Sequence, residues 1–524
     1  MKYFYSLTLG LLLLISSCKK ESDIIAPVLG IPTVITHPYS DLTNYSVKIS
    51  GAIVKEGDSK IMESGFLLDT IPTPTVEKNA NKFVRELDTN GHMSVTLTGI
   101  TDEHRIYIRA YALNSKGIAY GNEIKFTGLP SKSFPGSISL SSQQEVIEFG
   151  KNHYTSVGEL KITGTVTDLS PLSTIASIAY GLYIRNTTAL SSLKGLDNFE
   201  AANLLGLFHG MYIENNSMLR SLQGLNKMVA AKGELYIINN DELTDLEGLN
   251  SLAYIHFGDL MIKGCEKLKN LNGLEELGWL NGDLVLIDNP QLADIKALRK
   301  LNTVTDNLHI SNNPSLGNLI GLESLRKVES IQLEDNPLLS DLNGLINVDS
   351  IAGLSISNLK MLKSLESLSK ISNIDFLTVS DCPSLQTIAG GKIFKSIHGV
   401  ILRNTGLTSL DGLQNMVSAR VIEIFNNGKL TDLQGLNGLR LLEGETYSLL
   451  IHSNKKLISL SGLENLRRGT SPTGDGSVQI IDNPSLQDYC GLRPLLASNW
   501  FGFFYANGNL RNQSREEIIS TCKM

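Results

Sequence analysis

The sequence predicts a mainly β chain: an N-terminal β-sandwich, then a right-handed solenoid of about fourteen coils with short helical caps. Three observations carry this expectation. They are a repeat of roughly two dozen residues, period-two alternation inside each repeat, and a different strand pattern ahead of Gly128.

The repeat is plain in three consecutive segments that share one register: "DLVLIDNPQLADIKALRKL", "NLHISNNPSLGNLIGLESL" and "SIQLEDNPLLSDLNGLINV". The second apolar residue of each strand-like L-x-I falls at fourteen positions from Ile162 to Ile480, spaced by 22 to 29 residues. A period in this range marks a stack in which each unit buries its apolar face only against its neighbours. Within L-x-I, alternation sends two side chains inward and one outward, so each coil contributes one short strand.

Three residues beyond that anchor, thirteen repeats carry Asn eight times: Asn216, Asn240, Asn289, Asn313, Asn336, Asn427, Asn454 and Asn483. Thr187, Cys265, Leu359, Cys382 and Thr405 fill the other places. An inward Asn at a coil corner can bridge backbone groups of adjacent turns and so build a ladder. The residue before it is Asn or Asp in eleven of the thirteen, as a left-handed or Asx-type turn requires. A row of calcium ligands is the alternative, but uncharged Asn outnumbers Asp and the acids are separated. The glycine of "L-x-G-L", from Gly195 to Gly491, recurs with the repeat and is read as a turn residue.

These residues resemble the leucine-rich-repeat superfamily, and within it the solenoids called receptor L domains, through "LxIxNNPxLxxLxGLxxL" recurring from about Ser137 to Cys522. The first repeat, "ELKITGTVTDL", departs from the pattern at its turn, and Leu359 departs from it in the ladder. Solenoids of this kind host many ligands, so the resemblance implies a fold and leaves the ligand open.

Residues 1–17 are expected to be a signal peptide, because the apolar run from Leu7 to Ile15 is too short to span a bilayer. The "ISSC" that ends it resembles the lipobox of bacterial lipoproteins, which implies cleavage before Cys18 and lipid on its sulfur. Several acyl chains on one cysteine anchor stably where a single chain does not. The "KKESD" that follows is similar to sequences accompanying surface display in some Gram-negative bacteria. The implied location is the outer membrane, lipid-anchored and exposed at the cell surface.

Residues 18–30 then form the lipidated tether. Residues 31–128 read as the β-sandwich, with alternating strands such as "YSVKISGAIV" and a hairpin signal at "NSKG", where Gly117 is available for positive φ. The stretch from "ESGFLLDTIPTPT" to "YGNEIKF" resembles the fibronectin type III-like modules of bacterial surface lipoproteins, which implies a spacer. Residues 129–137 read as a linker by composition. Residues 138–485 are the solenoid, opened by a cap helix in "SSQQEVIEF", where Ser142 and Glu145 have capping-box spacing. Residues 486–524 hold the last coil and a C-terminal cap, with a second covering helix in "REEII".

Cys265 and Cys382 occupy ladder places five coils apart, roughly 24 Å, so they are expected as separate buried thiols. Cys490 and Cys522 flank the C-terminal tail and are predicted to pair in an oxidising compartment.

A net charge of −7 and the lack of a Lys/Arg stripe argue against a nucleic-acid surface. Function is therefore sought on the outward strand residues. Tyr183, Tyr212 and Tyr236 on consecutive coils, followed by Met261, form a stripe flanked by Arg185 and Glu214, with His309 further along. Such rings suit a protein partner or the faces of sugars. They equally suit stacking on one another to stabilise the sheet. Longer repeats add rim loops at "FEAANLLGLFHG", "RLLEGETYS" and "RRGTSPTGDGS".

The histidines are dispersed without an HxxxH pair, no G-x-S-x-G elbow appears, and the outward carboxylates lie coils apart. The expectation is a non-catalytic surface lipoprotein without metal or cofactor, binding a protein partner or mediating adhesion. A carbohydrate-binding protein using the tyrosines and a structural envelope protein are the alternatives. The oligomeric state is left open.

Overall fold

The computed structural model describes residues 30–42, 46–78, 80–98, 105–128, 132–202, 210–371, 374–388, 397–443, 447–468, 476–498 and 500–523. The leader and Cys18 lie outside the described residues. The chain forms two compact units, the second made chiefly of residues 129–524 with the short stretches 43–46 and 98–101.

The first unit holds two small sheets. One contains Thr33–Thr36, Ser46–Lys55 and His92–Thr98; the other contains Asn81–Val84, Ile61–Asp69, Arg105–Asn114, Gly117–Tyr120 and Ile124–Thr127. The described pairings are antiparallel. The sheets meet face to face, since a Cβ on Gly51 would come within 3.1 Å of the Ala110 Cβ and 3.3 Å of the Phe66 ring. Val47, Ile49, Phe66, Ile108 and Ala110 are fully buried there. The Thr36 hydroxyl accepts the Ala110 N–H at 2.9 Å, satisfying a buried donor. Asn114 faces Gly117 across the predicted hairpin, and Gly117 has φ 144°.

The second unit is a parallel β-solenoid. Every anchor from Ile162 to Ile480 lies in a strand, is 0% exposed, and stands in register with the anchor of the next coil. Those strands are the fourteen expected. Two more extend the stack, because Ser133–Leu140 pairs in parallel with Ser156–Gly164 and Phe503–Asn507 with Ser477–Ile481. The linker expected over residues 129–137 is thus corrected in its second half, which is strand. Its Pro135 and Gly136 sit in an edge strand, where a missing ladder donor is tolerated.

Shorter parallel strands precede many of the main ones, among them Tyr254–His256, Trp279–Leu280 and Thr303–Val304. Single 3₁₀ turns such as Lys296–Lys300 and Asn343–Leu345 form the remaining side. A continuous leucine core runs from Leu140 to Cys522.

The predicted corner is observed in full. The residue before each ladder place has positive φ, from Asn186 (55°) to Asp482 (54°); where it is neither Asn nor Asp, it is Gly264 (65°) or Ser453 (59°). The ladder then satisfies the backbone. Asn313 Nδ2 donates to Leu286 O at 2.9 Å and Ser311 O at 3.0 Å, while its Oδ1 accepts Asn289 N at 3.2 Å. Cys265 imitates this weakly, its Sγ lying 3.6 Å from Lys263 O and 3.9 Å from Ile237 O. Burial pushes its thiol pKa up to about 12, and that of Cys382 up to about 11.

The "L-x-G-L" glycines have a second cause beside turn conformation. Gly224 has φ 119° and Gly344 has no positive φ, yet a Cβ on either would overlap a leucine carbonyl of the preceding coil. Close stacking of turns, more than φ, excludes a side chain there.

Both predicted caps form. Helix α1, Gln143–Gly150, carries the Ser142/Glu145 capping box and buries Val146. After a short α2, Arg493–Leu496, helix α3, Arg515–Thr521, carries a second capping box at Ser514 and Glu517 and buries Ile518. Arg515 Nη2 donates to Leu496 O at 2.7 Å and Trp500 O at 2.8 Å, pinning the tail. Cys490 and Cys522 are disulfide-bonded with a Cα–Cα distance of 5.3 Å.

Candidate functional site

The outward column is positioned by the core beneath it. Two buried anchors flank each outward residue, and in-register parallel pairing sets equivalent residues about one strand spacing apart. Tyr183, Tyr212, Tyr236, Met261, Val285 and His309 therefore form one line across successive rungs.

The three tyrosines pack on one another. Tyr183 and Tyr212 are stacked, with centroids 5.1 Å apart and planes 2° from parallel; Tyr212 and Tyr236 meet edge to face at 5.3 Å and 82°. Arg185 lies over both of the first two rings, 4.9 Å from Tyr183 and 4.6 Å from Tyr212. Its Nε is 2.7 Å from Glu214 Oε2, an ion pair by distance although this buried Nε has no hydrogen-bond partner among the described residues. The Tyr212 hydroxyl donates to Glu234 Oε2 at 3.1 Å, and that of Tyr236 to Asp259 Oδ2 at 3.5 Å.

Burial first, and the facing carboxylates second, raise the pKa of all three phenols above the ordinary tyrosine value. The stripe therefore stays neutral at physiological pH. Of the two readings of these rings, mutual stacking is what the geometry displays. Tyr212 is stacked on Tyr183 and meets Tyr236 edge to face, so these rings spend part of their surface on one another.

Met261 continues the line beside Tyr236. His309 does not join the cluster: Val285, only 6% exposed, separates it from Met261. The His309 Nε2 is buried without a hydrogen-bond partner among the described residues. Toward the other end of the stack, Phe425 and His452 lie with their rings 5.2 Å apart. Beside them Arg403 holds Glu423 with two bonds, at 2.6 and 2.7 Å. Most of the three predicted rim loops, at 203–209, 444–446 and 469–475, lies outside the described residues.

Sequence reasoning missed a second aromatic group. Tyr254, His256, Phe257 and Trp279 gather on the short strands, with His256 4.9 Å from Trp279 and 6.0 Å from Tyr254. Tyr254 is 47% exposed and Phe257 79%. The signal was present as "YIHF" and "GWLNG" one repeat apart, but it lay outside the L-x-I column.

No protein-family model matches the chain, and no curated protein is significantly similar to it. Among solved structures, a leucine-rich-repeat protein of Leptospira interrogans aligns at 13% identity with a TM-score of 0.26, over 75% of this chain and 99% of that one. A likeness at this level carries no argument, and the solenoid rests on the strand registers above.

Proposed function

We propose that the chain is a non-catalytic binding protein that takes a protein partner on its strand face, around Tyr183, Tyr212 and Tyr236. The observation behind this reading is the locked aromatic cluster: its rings are already ordered by Arg185, Glu214 and Glu234, so little side-chain entropy remains to be lost on contact. A sugar platform on the same rings has less support, because Tyr183 and Tyr212 spend one face each on stacking with one another, and Arg185 lies over both rings.

The test is binding of the purified chain to arrayed extracellular-matrix and bacterial surface proteins. A partner on this face should lose roughly thirtyfold in affinity with Tyr212→Ala, while the thermal unfolding midpoint confirms an intact fold. A binder unaffected by Tyr212→Ala and Arg185→Gln removes the strand face from the account. Binding of nothing by the wild-type chain leaves the structural envelope alternative.

The same proposal puts the protein on the outer membrane through lipid on Cys18. It expects labelled palmitate to be incorporated in cells and lost in Cys18→Ala. It also expects digestion by protease added to intact cells; full protection would remove the surface assignment.

A further inference from the structure

We propose that an open cleft on the side of the solenoid, beside Trp279, binds an acidic carbohydrate. The site is separate from the tyrosine stripe and does not depend on its reading. The cleft has a volume of about 790 Å³, within the range of small-ligand sites. Tyr254, Gly278, Trp279, Arg299, Asn302 and Arg326 are among the residues that line it.

Two features point to the ligand class. The first is charge. Lys300 is neutralised by Glu276 at 2.6 Å, and Glu323 accepts the Gly321 N–H at 2.8 Å. Among the described residues no hydrogen bond or ion pair engages the side chains of Arg299 or Arg326, both exposed. The cleft lining holds three cations, Arg299, Lys300 and Arg326, against two acids, Glu276 and Glu323, in a chain whose net charge is −7. Two guanidinium forks then await carboxylate or sulfate groups.

The second feature is periodicity. Tyr254 and Trp279 are register partners on adjacent rungs, hence about 4.8 Å apart along the stack, close to the advance of one pyranose residue in a polysaccharide. Arg299 and Arg326 lie on consecutive rungs but three places out of step: Arg326 N–H bonds Asn302 O, and Thr303 pairs with Lys327, so Glu323 is the counterpart of Arg299. The rings thus repeat with the spacing of a sugar chain, and the two guanidinium groups lie in the same cleft without sharing that period. The Trp279 indole N–H has no acceptor among the described residues and is free to donate to a sugar hydroxyl.

Gly278 supplies a clean test. It lacks positive φ, and a Cβ there meets nothing nearer than 3.8 Å, so Gly278→Leu fills the cleft without forcing the backbone. Calorimetric titration of the purified chain with oligogalacturonate, hyaluronan and heparin oligosaccharides should reveal binding of at least one. That binding should weaken as salt rises, be abolished by Gly278→Leu, and fall about tenfold or more in Trp279→Ala and in Arg299→Gln/Arg326→Gln. Tyr212→Ala should leave it unchanged, which separates this site from the strand face. Failure of all three sugars to bind overturns the proposal. Equal affinity for neutral cello-oligosaccharides overturns the acidic part, and equal affinity for poly-glutamate overturns the carbohydrate part.

Discussion

Two stretches of the same corner differ in one respect only. Along Asn289, Asn313 and Asn336 each side chain donates to the coil before it, and each Oδ1 accepts the backbone N–H of the preceding ladder residue, Cys265, Asn289 and Asn313 in turn. Along Leu359 and Cys382 that network lapses, to resume at Thr405, whose N–H and hydroxyl donate to Asn427 Oδ1: Leu359 has nothing to donate, and Cys382 offers a thiol 3.2 Å from Ser380 O. The backbone does not notice. Asn312, Asp335, Asn358 and Asp381 keep positive φ, and each still donates its N–H to the strand end of the following coil at 3.0 to 3.1 Å. Geometry of the corner therefore comes from the left-handed Asx residue, whereas the ladder side chain adds stability to a path already set.

The comparison is most severely tested by importing the gap into the intact run. Asn313→Leu strands Leu286 O, Ser311 O and the Asn289 N–H in a dry interior, and should cost roughly 3 kcal/mol or more by urea unfolding. A cost below about 1 kcal/mol would mean the ladder is incidental. Opening the staple at the end of the stack should come next. Cys490→Ser/Cys522→Ser is expected to lose about 2 to 4 kcal/mol, since the final rung at Phe503–Asn507 has a neighbour on one side only.

Healing a gap should have the opposite sign and a smaller size. Cys265→Asn joins Asn240 to Asn289 and presents an acceptor to the Asn240 N–H, for a gain of about 1 kcal/mol. The smallest effect is a pH dependence. Burial holds the Cys382 and Cys265 thiols at about 11 and about 12, above the ordinary value of about 8.5. A raised folded-state pKa stabilises fully below the ordinary value and loses that contribution as pH climbs toward the folded one. The urea midpoint should therefore fall between pH 8.5 and 11, and Cys382→Ala should flatten part of that fall. The raised tyrosine pKa values of the stripe add in the same direction, above pH 10 or so.

Most of the fold was legible because each rung repeats the same physical problem. An inward pair, a left-handed Asx, a bridging Asn and a side-chain-free glycine recur often enough that single departures, such as Leu359, do not hide the period. The two missed rungs show where this fails. Ser133–Leu140 is followed by the capping-box Ser142 and no ladder residue, and its Pro135 and Gly136 look like linker composition. In the last rung Ala506 replaces the large anchor, although Asn509 continues the ladder by accepting Asn483 N–H at 2.9 Å.

The candidate site was legible as a list of positions and not as a shape. Alternation shows that Tyr183, Tyr212 and Tyr236 point outward, but not that they lean together or that Arg185 lies over them. Trp279 was less visible still, because a two-residue strand is too short for alternation to register.

Amide hydrogen exchange, read residue by residue, reaches the central claim most directly. The Asn313 N–H is bonded to Asn336 Oδ1 at 2.9 Å, while the Asn336 N–H faces Leu359, which has no acceptor. Slow exchange at Asn313 with markedly faster exchange at Asn336, and loss of protection at the Asn289 N–H in Asn313→Leu, is the expected result. Equal protection of the two amides would contradict it, because then the side-chain ladder contributes nothing that the turn does not already provide.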